Sequence, residues 1–81
     1  MGKSRDELGL ILRHMYDDAA EGEKVAHIHL FGIKYAEDIQ AAGMIAREVI
    51  QASGLKASYQ SELSKAMKLA KYVVPRARYA D

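Results

Sequence analysis

The stretch from Val49 to Lys65 reads VIQASGLKASYQSELSK, and it decides the fold of this chain. Apolar residues on both sides of Gly54 recur at helical spacing, and glycine readily adopts the left-handed conformation in which many helices end. The stretch therefore predicts two short helices joined by a turn at Gly54. Serines and lysines recur on the outer side of the second helix, which predicts a polar and basic surface there.

Length and composition indicate one helical domain over residues 1–81. The chain has 49% hydrophobic and 28% charged residues, and a chain this short buries a small core, so we expect a homodimer to supplement it. The absence of cysteine excludes disulfides, thiolate nucleophiles and cysteine metal sites. No window holds the roughly 18 uncharged apolar residues of a membrane span, and residues 1–7 contain no apolar signal region. We therefore expect a cytoplasmic protein with no membrane partner.

Charge is distributed unevenly along the sequence. Residues 1–43 contain five Lys/Arg and eight Asp/Glu, a balance of −3, whereas residues 44–81 contain seven and three, a balance of +4. This asymmetry favours a basic half that meets a polyanion and an acidic half that faces away from it. Ordinary solvated surface with chance clustering is the alternative.

The first helix is predicted to start at a capping box, Ser4 to Glu7, and to stop at Gly22. Arg13 and Asp17 are spaced to pair on its exposed side. One apolar stripe follows the helix: Leu8, Ile11, Leu12, Met15, Tyr16 and Ala19.

The second helix is predicted from about Glu23 to Gly43, and it should be buried on more than one side, either centrally or at a dimer interface. Its main seam consists of Val25, Ile28, Gly32, Tyr35, Ile39 and Ala42, and Leu30, Phe31 and Ile33 broaden the apolar surface. Two alternatives remain open, because residues 25–30 alternate like a strand and Gly32 can break a helix.

Two further helices complete the prediction of an all-α bundle of four or five helices. Helix 3 should run from about Ile45 to Ser53, and helix 4 from Ala57 or Ser58 until Pro75 ends it. The predicted inward residues are Ile45, Val49 and Ile50 in helix 3, and Tyr59, Leu63, Ala66, Met67, Ala70 and Val74 in helix 4. The opposite face of helix 4 carries Ser58, Ser61, Ser64, Lys65, Lys68 and Lys71. The tail at residues 76–79 is basic, and it is interpreted either as a phosphate or minor-groove contact or as a frayed terminus.

The pattern Val49-Ile50-x-x-x-Gly54-Leu55-x-x-Ser58-Tyr59-x-Ser61-x-Leu63 resembles the helix-turn-helix of bacterial and phage DNA-binding regulators. It is similar in particular to the version found in plasmid-partition-type DNA-binding proteins. The chain differs from that version at Ile50, where a small residue is usual, and at Gln60, where an apolar residue is usual. The resemblance implies a helix-turn-helix at about residues 45–73, with helix 58–73 as the recognition helix.

In that arrangement the start of the recognition helix enters the major groove. The implied DNA-contacting residues are Lys56, Ala57, Ser58, Ser61, Glu62 and Lys65, with Lys68 further along the same face. Lysines suit phosphate or guanine, and serines suit phosphate or a base edge. A carboxylate repels phosphate, so Glu62 either accepts a hydrogen bond from cytosine or lies on a face turned away from the DNA.

Two functional hypotheses follow from these features. The first is a homodimeric, sequence-specific transcriptional regulator that binds double-stranded DNA. The second is a helical protein-interaction module, an adaptor or antitoxin-like protein without a direct DNA role, that binds a partner through the apolar face of helix 2.

The sequence gives little support for an enzyme, a cofactor, a small-molecule substrate or a metal. It shows no glycine-rich phosphate loop, no nucleophile beside a base and no evident carboxylate pair. His27 and His29, with His14 on a neighbouring helix, point in different directions if residues 27–29 are helical. A strand at residues 27–29 would place both rings on one face and favour a metal.

Overall fold

Four α-helices and two short 3-10 turns make up the computed structural model, which describes residues 2–80. The helices are α1 (Arg5–Asp18), α2 (Lys24–Ala41), α3 (Ala46–Ser53) and α4 (Gln60–Leu69), and the 3-10 turns are Ala57–Tyr59 and Ala77–Tyr79. No strand occurs within this described part of the chain. The predicted all-α bundle is therefore confirmed, with four of the predicted four or five helices in residues 2–80, and residues 25–30 are helical rather than extended.

The start of α1 is the capping box that the sequence predicts. The Glu7 backbone N–H donates to Ser4 Oγ at 3.1 Å, and the Ser4 N–H donates to Glu7 Oε1 at 2.8 Å. The hydrogen bond from the Ser4 backbone lowers the pKa of Glu7, and the Ser4 hydroxyl adds to this effect. The predicted stop at Gly22 is wrong, because α1 ends at Asp18. Lys24 Nζ instead caps the helix end through the carbonyls of Tyr16 and Ala19, at 3.0 and 3.2 Å.

The core lies where the four helices meet. Eight side chains are almost fully buried there: Leu8, Leu12, Ile28, Phe31, Ile39, Val49, Ile50 and Leu63. The stripes predicted for α1 and most of α2 are thus confirmed. Three of the inward positions predicted for the first three helices are wrong: Val25 and Ala42 are exposed near the two ends of α2, and Ile45 is 53% exposed because it precedes the first turn of α3.

Two glycines allow the helices to pack in close pairs, α1 on α3 and α2 on α4. A Cβ atom at Gly9 would lie 2.6 Å from the backbone carbonyl of Ala52. A Cβ atom at Gly32 would lie 2.6 Å from Ala66 Cβ. Gly32 therefore does not break α2, which continues from Lys24 to Ala41; the glycine provides the space in which α4 packs.

The prediction that helix 4 continues to Val74 is wrong. The helix ends at Leu69, a turn follows at residues 70–72, and Val74 is 85% exposed instead of buried. The physical reason lies in residues 72–75. Tyr72, Val73 and Val74 are weak helix formers, and Pro75 disfavours the helical conformation of the residue before it. The helical segment of the predicted 58–73 region is therefore Gln60–Leu69, preceded by a 3-10 turn.

Candidate nucleic-acid interface

A tight turn at Gly54 connects α3 to α4. Gly54 has φ of +77°, in the left-handed region that favours glycine, and its N–H donates to the carbonyls of Ile50 and Gln51, both at 3.2 Å. Leu55 follows the glycine and packs against the core. The glycine hinge that the sequence predicts at this position is thus confirmed.

Ser53 stabilises this turn from inside the protein. Its hydroxyl donates to the Ile50 carbonyl at 2.7 Å and accepts from the Leu55 N–H at 3.2 Å. The side chain is buried and both of its hydrogen-bonding roles are filled. Ser53 therefore fixes the path of the backbone from α3 into the turn.

Arg13 of α1 contacts the same turn at the protein surface. Its Nη1 lies 3.5 Å from the Gly54 carbonyl oxygen, and its Nε donates to Asp17 Oδ2 at 3.1 Å, which confirms the predicted pair. A cation beside the last carbonyls of a helix is favourable, because those carbonyls have no helical partner. One side chain of α1 thus interacts with the end of α3.

The outer face of α4 presents a row of polar side chains. Ser61, Lys65 and Lys68 are exposed and lie one helical turn apart in sequence, whereas Leu63 and Ala66 are buried against α2. The Lys65 side chain is 73% exposed. Lys56, Ala57 and Ser58 are exposed just before the helix. The structure therefore brings all of these predicted residues to the surface around the first turns of α4.

Glu62 is the predicted residue whose position differs most from that of the others. Its Oε1 accepts a hydrogen bond from His29 Nε2 of α2 at 2.8 Å, and its Oε2 lies 4.0 Å from Lys65 Nζ. The hydrogen bond from His29 and, secondarily, the charge of Lys65 lower the pKa of Glu62. The carboxylate thus lies at the edge of the α4 face, bound to α2.

Arg47 belongs to the same surface, although the sequence did not single it out. A groove between the start of α3 and the outer face of α4 is lined by Ile45, Ala46, Arg47, Gln60, Ser61 and Ser64. Arg47 is exposed in the first turn of α3. The glycine hinge between two short helices was the available signal, because it places the first turn of α3 near the side of α4.

The basic tail lies elsewhere. Arg78 and Tyr79 line a groove between α1 and α2 together with His14, His27 and Asp18. This groove also receives Leu30 and Lys34 of α2, whereas Gly32 and Ala36 of the same helix face α4. Part of the positive charge in residues 44–81 therefore lies on the side of α2 that is away from α4.

The three histidines fall in two places, His14 and His27 in the α1–α2 groove and His29 beside Glu62. Within residues 2–80, no three His, Asp or Glu side chains are arranged to hold a metal ion. Among the helices of residues 2–80, none combines the length and apolar character needed to cross a bilayer.

Comparison with protein families identifies the class of this chain. The family model described as HTH-like domain, the helix-turn-helix class, matches residues 4–76, which include all four helices and the turn at Gly54. The chain belongs to this family. Neither a curated protein nor a solved structure matches it significantly.

Proposed function

We propose that this protein is a sequence-specific transcriptional regulator that binds double-stranded DNA, with α3 and α4 as its helix-turn-helix and α4 as the recognition helix. The observation that carries the proposal is the amphipathic packing of α4. Leu63 and Ala66 seat the helix on α2, while Ser61, Lys65 and Lys68 remain exposed on its other side. Membership of the HTH-like domain family supports a DNA-binding role for this arrangement.

The exposed side chains divide into two groups by their chemistry. Ser58 and Ser61 lie at the start of α4, where hydroxyl groups can bond a base edge or a phosphate. Lys56, Lys65 and Lys68 supply positive charge for phosphates, and Arg47 adds to it from the first turn of α3. The proposed interface thus combines residues for positioning on the backbone with residues that can read bases.

A homodimer is part of the proposal, because helix-turn-helix proteins commonly read two half-sites about one helical turn apart. From Leu69 at the end of α4 onward the chain exposes several apolar side chains, and Tyr72 is 81% exposed. We place the contact with a second copy on this exposed segment, Leu69, Tyr72, Val73 and Val74. The resemblance of residues 49–63 to regulators of bacteria and phages supports the same mode of action.

Selection of binding sites from random duplex DNA is the primary test. The proposal predicts enrichment of a palindromic sequence, since a symmetric dimer reads symmetric half-sites. Binding to the selected duplex should weaken steeply as salt rises, because each phosphate contact releases counterions. An affinity that does not change between low and moderate salt, or no duplex binding at all, would refute the proposal.

Charge reversal on α4 tests the placement of the interface. Lys65→Glu should weaken duplex binding by at least about tenfold at low salt, and adding Lys68→Glu should abolish it. Lys3→Glu is the matched control, since it changes the net charge equally but lies over the ring of Tyr35, which lines the α1–α2 groove. Equal losses in Lys65→Glu and Lys3→Glu would indicate a general charge effect and remove α4 from the interface.

Sedimentation tests the proposed dimer. Tyr72→Asp should shift the protein from dimer to monomer, because a charge at the centre of an apolar contact is costly to bury. Leu10→Asp alters an exposed apolar side chain of α1 and should leave the dimer intact. A wild-type monomer at micromolar concentration would contradict this part of the proposal.

The alternative of a protein-interaction module needs an available apolar face on α2. The structure buries most of that face, since Ile28, Phe31 and Ile39 have no exposed surface and Leu30 and Ile33 are half-buried. This burial favours the DNA-binding proposal, which also involves no catalytic step and no cofactor.

A further inference from the structure

His29 and Glu62 connect the helix behind the proposed interface with the interface itself. His29 Nε2 lies 2.8 Å from Glu62 Oε1, and the two side chains are 41% and 32% exposed. Glu62 is the only acidic residue between Gln60 and Leu69. The pair therefore determines where the single negative charge of α4 lies.

The sequence position of Glu62 makes its orientation important. It falls between Ser61 and Lys65, at the edge of the face that is proposed to meet DNA. A carboxylate turned outward there would repel phosphates and would draw Lys65 into a tighter ion pair. In the structure the carboxylate is turned toward α2, and its second oxygen is 4.0 Å from Lys65 Nζ, which leaves the ammonium largely exposed.

We propose that His29 is a positioning residue of the DNA-binding surface, because its imidazole holds the Glu62 carboxylate against α2 and away from the phosphates. The inference rests on the proposed function, but the contact itself can be measured without DNA. The groups that act on the Glu62 carboxylate are His29 from α2 and Lys65 from α4 itself. Both favour the ionised form of Glu62. Because the carboxylate is charged, its position relative to bound phosphates affects the affinity for DNA.

A mutant cycle with duplex DNA at low salt tests this inference. His29→Ala should weaken binding by about threefold to tenfold, because the released carboxylate would repel phosphates on the face that is proposed to meet DNA. His29→Gln should restore most of the affinity, since its amide can still donate to Glu62. In a Glu62→Gln background, His29→Ala should have no further effect on affinity. His14→Ala removes an exposed histidine of α1 and serves as the control.

An NMR titration of the Glu62 carboxyl group supplies the measurement without DNA. In His29→Ala the pKa of Glu62 should rise toward its ordinary value, because the largest cause of its lowering is gone. Wild-type protein that binds no duplex would overturn the proposed function. Wild-type protein that binds, together with unchanged affinity in His29→Ala, would overturn only the role of His29. A sequence-selective loss of affinity in Glu62→Gln would also overturn it, since Glu62 would then read a base.

Discussion

The hydroxyl oxygens of Tyr16 and Tyr59 lie 2.8 Å apart, and this hydrogen bond ties α1 to the residue immediately before α4. The two rings also touch, with centroids 5.5 Å apart. Lys24 lies over the ring of Tyr16 and binds its carbonyl oxygen, so three elements meet at Tyr16. Tyr59, at the start of the proposed recognition helix, is therefore bound to a residue of α1 that lies 43 positions earlier in the sequence.

The tyrosine pair predicts that the pKa of Tyr59 depends on Tyr16. The hydrogen bond with Tyr16, and then burial, raise the pKa of Tyr59 above its ordinary value of 10.0. Because the folded protein holds this proton more tightly than the unfolded chain, the stabilisation is complete below about pH 10 and is lost as pH rises through the raised pKa.

Ultraviolet titration of tyrosinate checks this prediction. Tyr16→Phe should lower the pKa of Tyr59, while Tyr79→Phe, at an exposed tyrosine outside both the pair and the proposed dimer contact, should leave it unchanged. An unchanged titration of Tyr59 in Tyr16→Phe would show that the hydrogen bond does not form in solution.

The close approach of α2 and α4 predicts that Gly32→Ala is destabilising. Alanine is the better helix former by about 1 kcal/mol, yet its methyl group would meet Ala66 Cβ at 2.6 Å. We expect a net loss of about 1–3 kcal/mol in the free energy of unfolding, measured with urea.

A reciprocal exchange separates the steric effect from other causes. Ala66→Gly added to Gly32→Ala moves the methyl group to the other helix and should recover part of the loss. Ala52→Gly should not rescue Gly9→Ala in the same way, because the obstacle at Gly9 includes the Ala52 backbone carbonyl. Rescue in both pairs, or in neither, would contradict the packing described for these helices.

Ser53 in the turn at Gly54 and Ser61 on the outer face of α4 should respond differently to substitution. Ser53→Ala removes two hydrogen bonds inside the turn and should reduce the free energy of unfolding by about 1–3 kcal/mol. Ser61→Ala, at an exposed position, should change stability by less than about 0.5 kcal/mol but weaken binding to the selected duplex. Urea unfolding and a duplex titration of both variants make the comparison. Equal stability of the two variants would contradict the role given to Ser53.

The capping box predicts that Glu7 contributes to the loss of folding stability at acidic pH. The pKa of Glu7 is lowered from 4.5, chiefly by the Ser4 backbone, so its contribution is present above about pH 4.5 and is lost as pH falls through the lower folded value. Ser4→Ala removes the hydroxyl and should cost about 1 kcal/mol at neutral pH. Its stability should also fall less steeply below pH 4.5. Unfolding measured across acidic pH tests both effects, and equally steep curves for wild type and Ser4→Ala would contradict the second.

Features with a local cause were predictable from the sequence. The capping box from Ser4 to Glu7 and the Arg13–Asp17 pair depend on residues three or four positions apart. The turn at Gly54 follows from the conformational range of glycine, and the stripes of α1 and α4 follow from helical periodicity. These local features were enough to indicate four helices and the exposed face of α4.

Features that depend on which helices touch were not predictable. Periodicity identified Gly32 as part of a seam, but it did not reveal that Ala66 approaches it. His29 and Glu62 are 33 positions apart, and no pattern within either helix indicates that they pair. α4 ends early because Tyr72 to Val74 are weak helix formers and Pro75 disfavours helix in the residue before it. The apolar stripe that extends to Val74 predicted a longer helix instead.

Because of the close packing at Gly9 and Gly32, the two helices joined at Gly54 pack against different helices. α3 packs mainly on α1, and α4 mainly on α2, so the packing of α1 against α2 contributes to the arrangement of α3 relative to α4. Residues between α1 and α2 are therefore expected to affect the tilt of the surface that is proposed to face DNA. A search for variants with altered half-site spacing would then find them in the α1–α2 interface, at a distance from every side chain proposed to touch a base.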